Sequence, residues 1–145
     1  MKLTTLAKAV PGPVTIAGYE GNQVTSLCTD SRKVEPGALF FCIPGTRMDA
    51  HDFAPQAVAA GASALVVQRK LDLPVPQVVV PDVRLALAYM AAEFYGRPAD
   101  QLKMVGITGT KGKTTVSFLI KSVLDGAGHK TGLIGTVGSM VGEER

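Results

Sequence analysis

The chain has 145 residues, 46% of them hydrophobic and 19% charged, and a net charge of +3. This is the composition of a globular protein able to build a core, and its length allows one domain or one and a part. Its lysines and arginines are scattered without an aromatic-basic stripe, which argues against a nucleic-acid partner.

The opening segment carries Leu3, Leu6 and Val10 at helical spacing and stops at Pro11-Gly12-Pro13. It is too short, and too interrupted by Lys8, to be a signal peptide. No apolar run approaches the ~20 residues of a membrane span, so a cytoplasmic protein with no membrane partner is expected; a monomer is expected as well. Val14 to Tyr19 and Val24 to Cys28 are strand-like runs around the turn-forming Glu20-Gly21-Asn22, which predicts a hairpin or two adjacent strands. Thr29-Asp30-Ser31-Arg32 follows the second. Pro36-Gly37 then makes a tight turn into the continuous apolar run Ala38 to Ile43, a buried strand ended by Pro44-Gly45.

A polar loop, Thr46 to Asp52, precedes a short helix over Phe53 to Ala60 with Gly61 as its stop. Ala64 to Val67 and Gln77 to Val80 are compact β-branched strands, and their alternation with helices predicts an α/β layer. Asp82 caps a long helix in which Val83, Leu87, Met90 and Phe94 form a core-facing stripe, closed by Gly96-Arg97-Pro98. The apolar strand before Asp82 resembles a magnesium-binding strand end. The proline before the aspartate and the helix after it give Asp82 a sufficient role as a cap.

Around Pro98-Ala99-Asp100-Gln101 the pattern restarts, which divides the chain into 1–98 and 99–145. Lys103 to Ile107 reads as strand, Thr114 to Leu124 as helix, Gly126 and Gly128 as its stop, and Gly132 to Val137 as strand. The predicted fold class is α/β: an N-terminal α/β substrate domain followed by the first βαβ unit of a phosphate-loop, parallel-sheet ATPase domain. A βαβ unit alone cannot cover both faces of a parallel sheet, so the chain is expected to stop inside its second domain.

Between that strand and helix lies Gly109-Thr110-Lys111-Gly112-Lys113-Thr114-Thr115. Glycines there let backbone amides approach a polyphosphate, and the helix start adds its positive end. Lys113 would reach the outer phosphates and Thr114 would place a hydroxyl on Mg2+. Position 107 is Ile where the strict pattern has glycine, so the strand and helix context carries the assignment. Lys111 reads as a solvated loop charge, with a phosphate contact as the alternative. Cys28 and Cys42 are expected to be buried free thiols, a disulfide or metal site being the alternative. His51 and His129 are expected to be structural or solvated.

Five stretches together resemble the N-terminal part of the Mur ligase family, MurE type. They are Thr29-Asp30-Ser31-Arg32-Lys33-Val34-Glu35-Pro36-Gly37-Ala38-Leu39-Phe40, Pro44-Gly45-Thr46 before Asp49-Ala50-His51-Asp52-Phe53, Phe94-Tyr95-Gly96-Arg97-Pro98, Gly106 through Thr115, and Gly132-Leu133-Ile134-Gly135-Thr136-Val137-Gly138. The resemblance implies a first domain holding the UDP end of a nucleotide-sugar substrate and a central domain holding ATP. It further implies a ligase that activates the substrate carboxylate as an acyl-phosphate for attack by an amino acid's amine. The substrates implied are UDP-N-acetylmuramoyl-dipeptide and an amino acid, with ATP and Mg2+ as cofactors. Carried onto this chain, Thr29 and Ser31, with the loop Thr46-Arg47-Met48, contact the uridine moiety. Gly109, Thr110, Lys111, Gly112, Lys113, Thr114 and Thr115 hold ATP, with Lys113 as the catalytic residue and Thr114 on Mg2+. Lys111 stands where the family pattern usually has asparagine. For Ser31 and Asp30 the competing account is a strand-end turn with Asp30 and Arg32 as a local surface pair.

Other classes weighed are a phosphate-loop kinase or GTPase, a folylpolyglutamate synthetase-like enzyme, and a non-catalytic UDP-sugar-binding fragment. The kinases and GTPases place their loop near the domain start, and the synthetases generally begin near it without such an N-terminal domain. The residues that select diaminopimelate, lysine or another amino acid lie in later parts of family members.

Overall fold

The computed structural model describes residues 1–46, 48–142 and 144. The chain divides into two compact units, Met1–Leu102 and Lys103–Arg145. The first holds helix α1 (Leu3–Ala9), strands β1 (Thr15–Ala17), β2 (Ser26–Cys28) and β3 (Ala38–Phe41), helix α2 (Ala54–Ala59), strands β4 (Ala64–Val67) and β5 (Gln77–Val79), and helix α3 (Val83–Phe94). The strands form one sheet in the order β1-β5-β4-β3-β2. β2 through β5 run parallel to their neighbours, and β1 lies antiparallel on β5.

β3 and β4, reading Ala-Leu-Phe-Phe and Ala-Leu-Val-Val, are buried at every position. Such unbroken apolar runs are what a parallel sheet covered on both faces requires. Leu39, Phe41, Val66 and Val78 point to the face shared with Leu3 and Leu6 of α1 and with Val83, Ala86 and Met90 of α3. Phe40, Cys42, Leu65 and Val67 point to the other face, against Ala54 and Ala57 of α2. Leu87 and Phe94, the remaining members of the predicted α3 stripe, are partly buried against the first of these clusters. As expected, Asp82 caps α3: its Oδ1 accepts from the Arg84 and Leu85 N–H groups at 2.8 and 3.1 Å.

The pairing expected between the first two strands is not formed. β1 and β2 occupy opposite edges of the sheet. Four strand spacings separate them, about 19 Å. The connecting residues 18–25 can span up to roughly 30 Å when extended, and they run past the starts of β4 and β3, where Asn22 Nδ2 donates to the Ser63 carbonyl at 2.8 Å and the Thr25 N–H to the Gly37 carbonyl at 3.0 Å. The Glu20-Gly21-Asn22 turn is used differently: the Asn22 carbonyl accepts from the Leu3 N–H at 2.9 Å, satisfying one orphan amide of α1.

A polar side chain sits inside this core. Gln77 is 2% exposed, and its amide pairs with the backbone of Leu71 in both directions. Oε1 accepts from the Leu71 N–H at 2.8 Å and Nε2 donates to the Leu71 carbonyl at 2.7 Å. The side chain thereby does for the β4–β5 connection what a neighbouring strand would do.

The second unit holds helix α4 (Lys113–Gly126) and the strands β6 (Gly132–Gly135) and β7 (Gly138–Val141). β6 and β7 form an antiparallel hairpin around Thr136-Val137, with Gly135 opposite Gly138. Two expectations are corrected here. The strand expected over Lys103 to Ile107 has no ladder partner among the described residues, and Met104 and Val105 are exposed. The strand expected over Gly132 to Val137 ends at Gly135 and returns as β7. The βαβ unit is therefore absent from the described residues: a two-residue loop selects antiparallel pairing, and apolar β-branched residues make a strand only where a partner exists. Lys121 of α4 is buried, its Nζ donating to Asp125 Oδ2 at 2.6 Å and to Thr131 Oγ1 at 3.1 Å. Thr131 in turn donates to Asp125 Oδ1 at 2.6 Å, closing a ring that ties α4 to the start of β6.

Candidate functional site

Because β2 through β5 are parallel, the segments that follow them gather along one edge of the sheet of the first unit. In open α/β sheets ligands settle outside such strand ends. With Cys28 opposite Phe40, the segment after β2 and the segment after β3 are neighbours. The structure thus brings Thr29 and Ser31 to one strand end and Thr46 and Met48 to the next; Arg47 lies outside the described residues.

After β2, Asp30 caps a short 3-10 turn over Ser31–Lys33 by accepting from the Arg32 N–H. It also receives Arg32 Nε at 2.9 Å and Nη2 at 2.7 Å. These bonds, the side-chain one foremost, hold the Asp30 carboxyl well below the usual carboxylate range. Asp30 and Arg32 are therefore the local surface pair weighed from the sequence. Ser31 is partly exposed and its hydroxyl donates to Gln56 Oε1 of α2 at 3.2 Å. Thr29, Thr46 and Met48 are exposed.

Behind Thr46 and Met48 stands a network that the motif search missed. Asp49 caps a 3-10 turn over Ala50–Phe53, and its Oδ1 accepts from the His51 N–H at 3.0 Å. The Gln68 N–H donates to His51 Nε2 at 3.0 Å, so that nitrogen carries the lone pair and the ring proton is on Nδ1. From there it donates to Asp49 Oδ1 at 2.6 Å. Arg69 Nη1 reaches the other carboxylate oxygen at 3.0 Å. The His51 backbone amide, then its ring, hold the Asp49 carboxyl well below its ordinary range. His51 is thus a structural residue, one of the two roles expected of it. The signal available in the sequence was the Asp-x-His spacing, an aspartate two residues before a buried polar ring.

Among the described residues Cys28 and Cys42 are free thiols. Cys42 is fully buried, and burial pushes its thiol up to about 12. Cys28 is partly exposed and donates to the Asp30 carbonyl at 3.1 Å.

In the second unit, Gly112 is the N-cap of α4 with φ +77°, and its carbonyl accepts the Val116 N–H at 2.9 Å. A Cβ there would meet nothing within 4 Å. Glycine is therefore required by the left-handed backbone and not by crowding, and the space before the helix end is open. Gly109, with φ +149°, starts the same turn. Lys113 Nζ folds back to donate to the Gly109 carbonyl at 2.5 Å, spanning the loop. Thr110, Lys111, Thr114 and Thr115 are exposed around it. An exposed ammonium, a left-handed glycine turn and the amino end of a 14-residue helix form a donor set suited to a polyphosphate. The Thr114 hydroxyl adds one hard oxygen of the kind Mg2+ accepts.

Residues 23–95 match the family described as Mur ligase family, catalytic domain, a stretch within the first unit that stops short of the glycine loop. Over 144 residues the chain is 51% identical to the UDP-N-acetylmuramoyl-L-alanyl-D-glutamate--2,6-diaminopimelate ligase of Geobacillus thermodenitrificans, covering 99% of this chain and 29% of that one. A solved structure of a ligase of the same name superposes with TM-score 0.73 and 29% identity, over 97% of this chain and 29% of that one. The MurF ligase from Thermotoga maritima in complex with ADP superposes with TM-score 0.55 and 28% identity over 72% of this chain and 24% of its own. The chain thus spans about three-tenths of the length of the ligase relatives that it matches most fully.

Proposed function

From the premise that this chain belongs to the Mur ligase family, we infer that it forms the N-terminal part of an ATP-dependent ligase. That enzyme adds the third amino acid to UDP-N-acetylmuramoyl-L-alanyl-D-glutamate in cytoplasmic peptidoglycan synthesis. The relatives' names favour 2,6-diaminopimelate as the amino acid. Residues 1–98 take the uridine end of the substrate at the strand ends that carry Thr29, Ser31, Thr46 and Met48, and Arg47 is assigned to the same end of the substrate. Residues 99–145 begin the ATP-binding domain.

The observation that carries this reading is Lys113, whose ammonium already lies across the loop from α4 to the Gly109 carbonyl. ATP, when bound, supplies the phosphoryl group that activates the substrate carboxylate. What this chain contributes is binding: backbone amides from Gly109 to Thr115 would receive the phosphates, Lys113 would exchange a neutral carbonyl for an anionic oxygen, and Thr114 would contribute one ligand to Mg2+. The exchange is favourable because the ammonium meets an opposite charge in place of a neutral dipole, which adds Coulomb attraction to a hydrogen bond that its own charge already assists.

The test is Lys113→Ala. Calorimetric affinity for MgATP is expected to fall at least about tenfold, and ligation by the enzyme containing this chain is expected to disappear. Melting temperature should hold, since the side chain is exposed and makes a single hydrogen bond. Equal ATP affinity in variant and parent would refute the reading.

A further inference from the structure

The segment after β3 is tied from three directions. Pro44 and Asp49 form an isolated antiparallel bridge that closes its base. Inside it the Gly45 N–H donates to the Met48 carbonyl at 3.0 Å, so tightly that a Cβ on Gly45 would lie 2.5 Å from that oxygen. From the end of β4 come Arg69, on Asp49, and the Gln68 N–H, on His51. From the start of α3, Arg84 Nη2 donates to the Pro44 carbonyl at 3.1 Å.

None of these bonds is needed to build the sheet, whose β3–β4 ladder already ends at Phe41 opposite Val66. They act on the segment after β3 and on the 3-10 turn that Asp49 caps. His51 is 2% exposed and spends both ring nitrogens on it. Thr46 and Met48, by contrast, remain in solvent. The result is a main chain tied at Pro44, Gly45, Met48 and Asp49, with the Thr46 and Met48 side chains in solvent. A loop fixed in advance spares a ligand the cost of ordering it.

We propose that His51, Asp49 and Arg69 form a latch that presets the main chain at Pro44–Thr46 and Met48–Asp49 for the uridine end of the nucleotide substrate. They are positioning residues that need not touch the ligand, and the proposal rests on the assignment of that end to the first unit. Asp49 is the hinge of the device, because its two oxygens receive His51 on one side and Arg69 on the other.

The experiment is calorimetric binding of UDP to the 145-residue chain, with melting followed by circular dichroism and MgATP affinity as a parallel readout. Arg69→Ala removes a side chain that is 58% exposed, so the fold should survive. UDP affinity is expected to drop about threefold to tenfold, with melting temperature and ATP affinity unchanged. Arg69→Lys, which keeps a cationic donor for Asp49, should recover most of the loss. His51→Gln keeps an acceptor for the Gln68 N–H but loses the donor to Asp49, and should weaken UDP by a similar factor. If His51→Gln does not fold, the two Arg69 variants still decide the matter. A parent that binds UDP while Arg69→Ala binds it equally well overturns the latch alone. A parent that does not bind UDP overturns the substrate assignment, and the latch with it.

Discussion

Replacing Gln77 by Leu keeps the side chain's approximate volume in the core and deletes both of its hydrogen bonds. The Leu71 N–H and carbonyl, bonded at 2.8 and 2.7 Å, would then lack partners in a half-buried connection. Each unsatisfied group costs about 1–3 kcal/mol when fully buried, and partial access of water to Leu71 places the sum near the low end, about 2–3 kcal/mol. For a unit of this size each kcal/mol lowers the melting temperature by roughly 4–5 °C, so Gln77→Leu should melt about 10 °C below the parent. Gln77→Glu sharpens the test. At neutral pH it sets a carboxylate oxygen against the Leu71 carbonyl, and burial raises that carboxyl's pKa in the folded state. The penalty is then present above the folded pKa and relieved as pH falls below the unfolded value of about 4.3. Thermal denaturation at pH 7 and near pH 4 reads both arms. A Gln77→Leu protein melting within about 2 °C of the parent would refute the claim that this side chain stands in for a strand.

Cys42, buried and with its thiol pushed up to about 12, should stay unreactive toward a disulfide reagent at pH 8 until the protein unfolds, while Cys28 reacts in the native state; equal native reactivity would contradict the packing of β3. The depressed carboxyl of Asp49 implies stability that is fully present above the unfolded pKa of about 4 and lost as pH falls toward the folded value. Urea unfolding between pH 7 and pH 3 should show the onset of that loss, and Asp49→Asn should reduce its slope while Asp30 keeps its own share.

The parts of the fold written in local residue order are the parts the sequence discloses. The runs Ala38 to Ile43 and Ala64 to Val67, the Leu3–Leu6 stripe and the Asp82 cap each depend on neighbours a few positions away, and each is found, the first as a strand that ends two residues early at Phe41. Strand partnership is not local. A turn at Glu20-Gly21-Asn22 signals a reversal but cannot say that β1 pairs with β5, whose residues arrive some sixty positions later. Gly138–Val141 carries too few β-branched residues to announce itself, and becomes a strand because the hairpin folds it onto β6. The same division holds at the sites. Gly109, Gly112 and Lys113 lie within one turn and their spacing is a motif. Ser31 with Gln56 and Asp49 with Arg69 meet across 25 and 20 residues, and no spacing rule joins them.

Helix α4 turns Val116, Leu119 and Val123 outward, and β6 exposes Ile134 at 92%. Leu133 and Lys121 are the buried residues recorded for the second unit among those described. So thin a core places this unit at the low end of local stability. The glycine loop depends on that helix for its shape, so the phosphate binding proposed for it is thermodynamically linked to folding of the unit. If only a fraction of molecules hold α4 formed at a given moment, the apparent ATP dissociation constant is the intrinsic one divided by that fraction. Each tenfold fall in that fraction then weakens measured affinity by about 1.4 kcal/mol, and nucleotide should raise amide protection throughout α4 as well as at the loop.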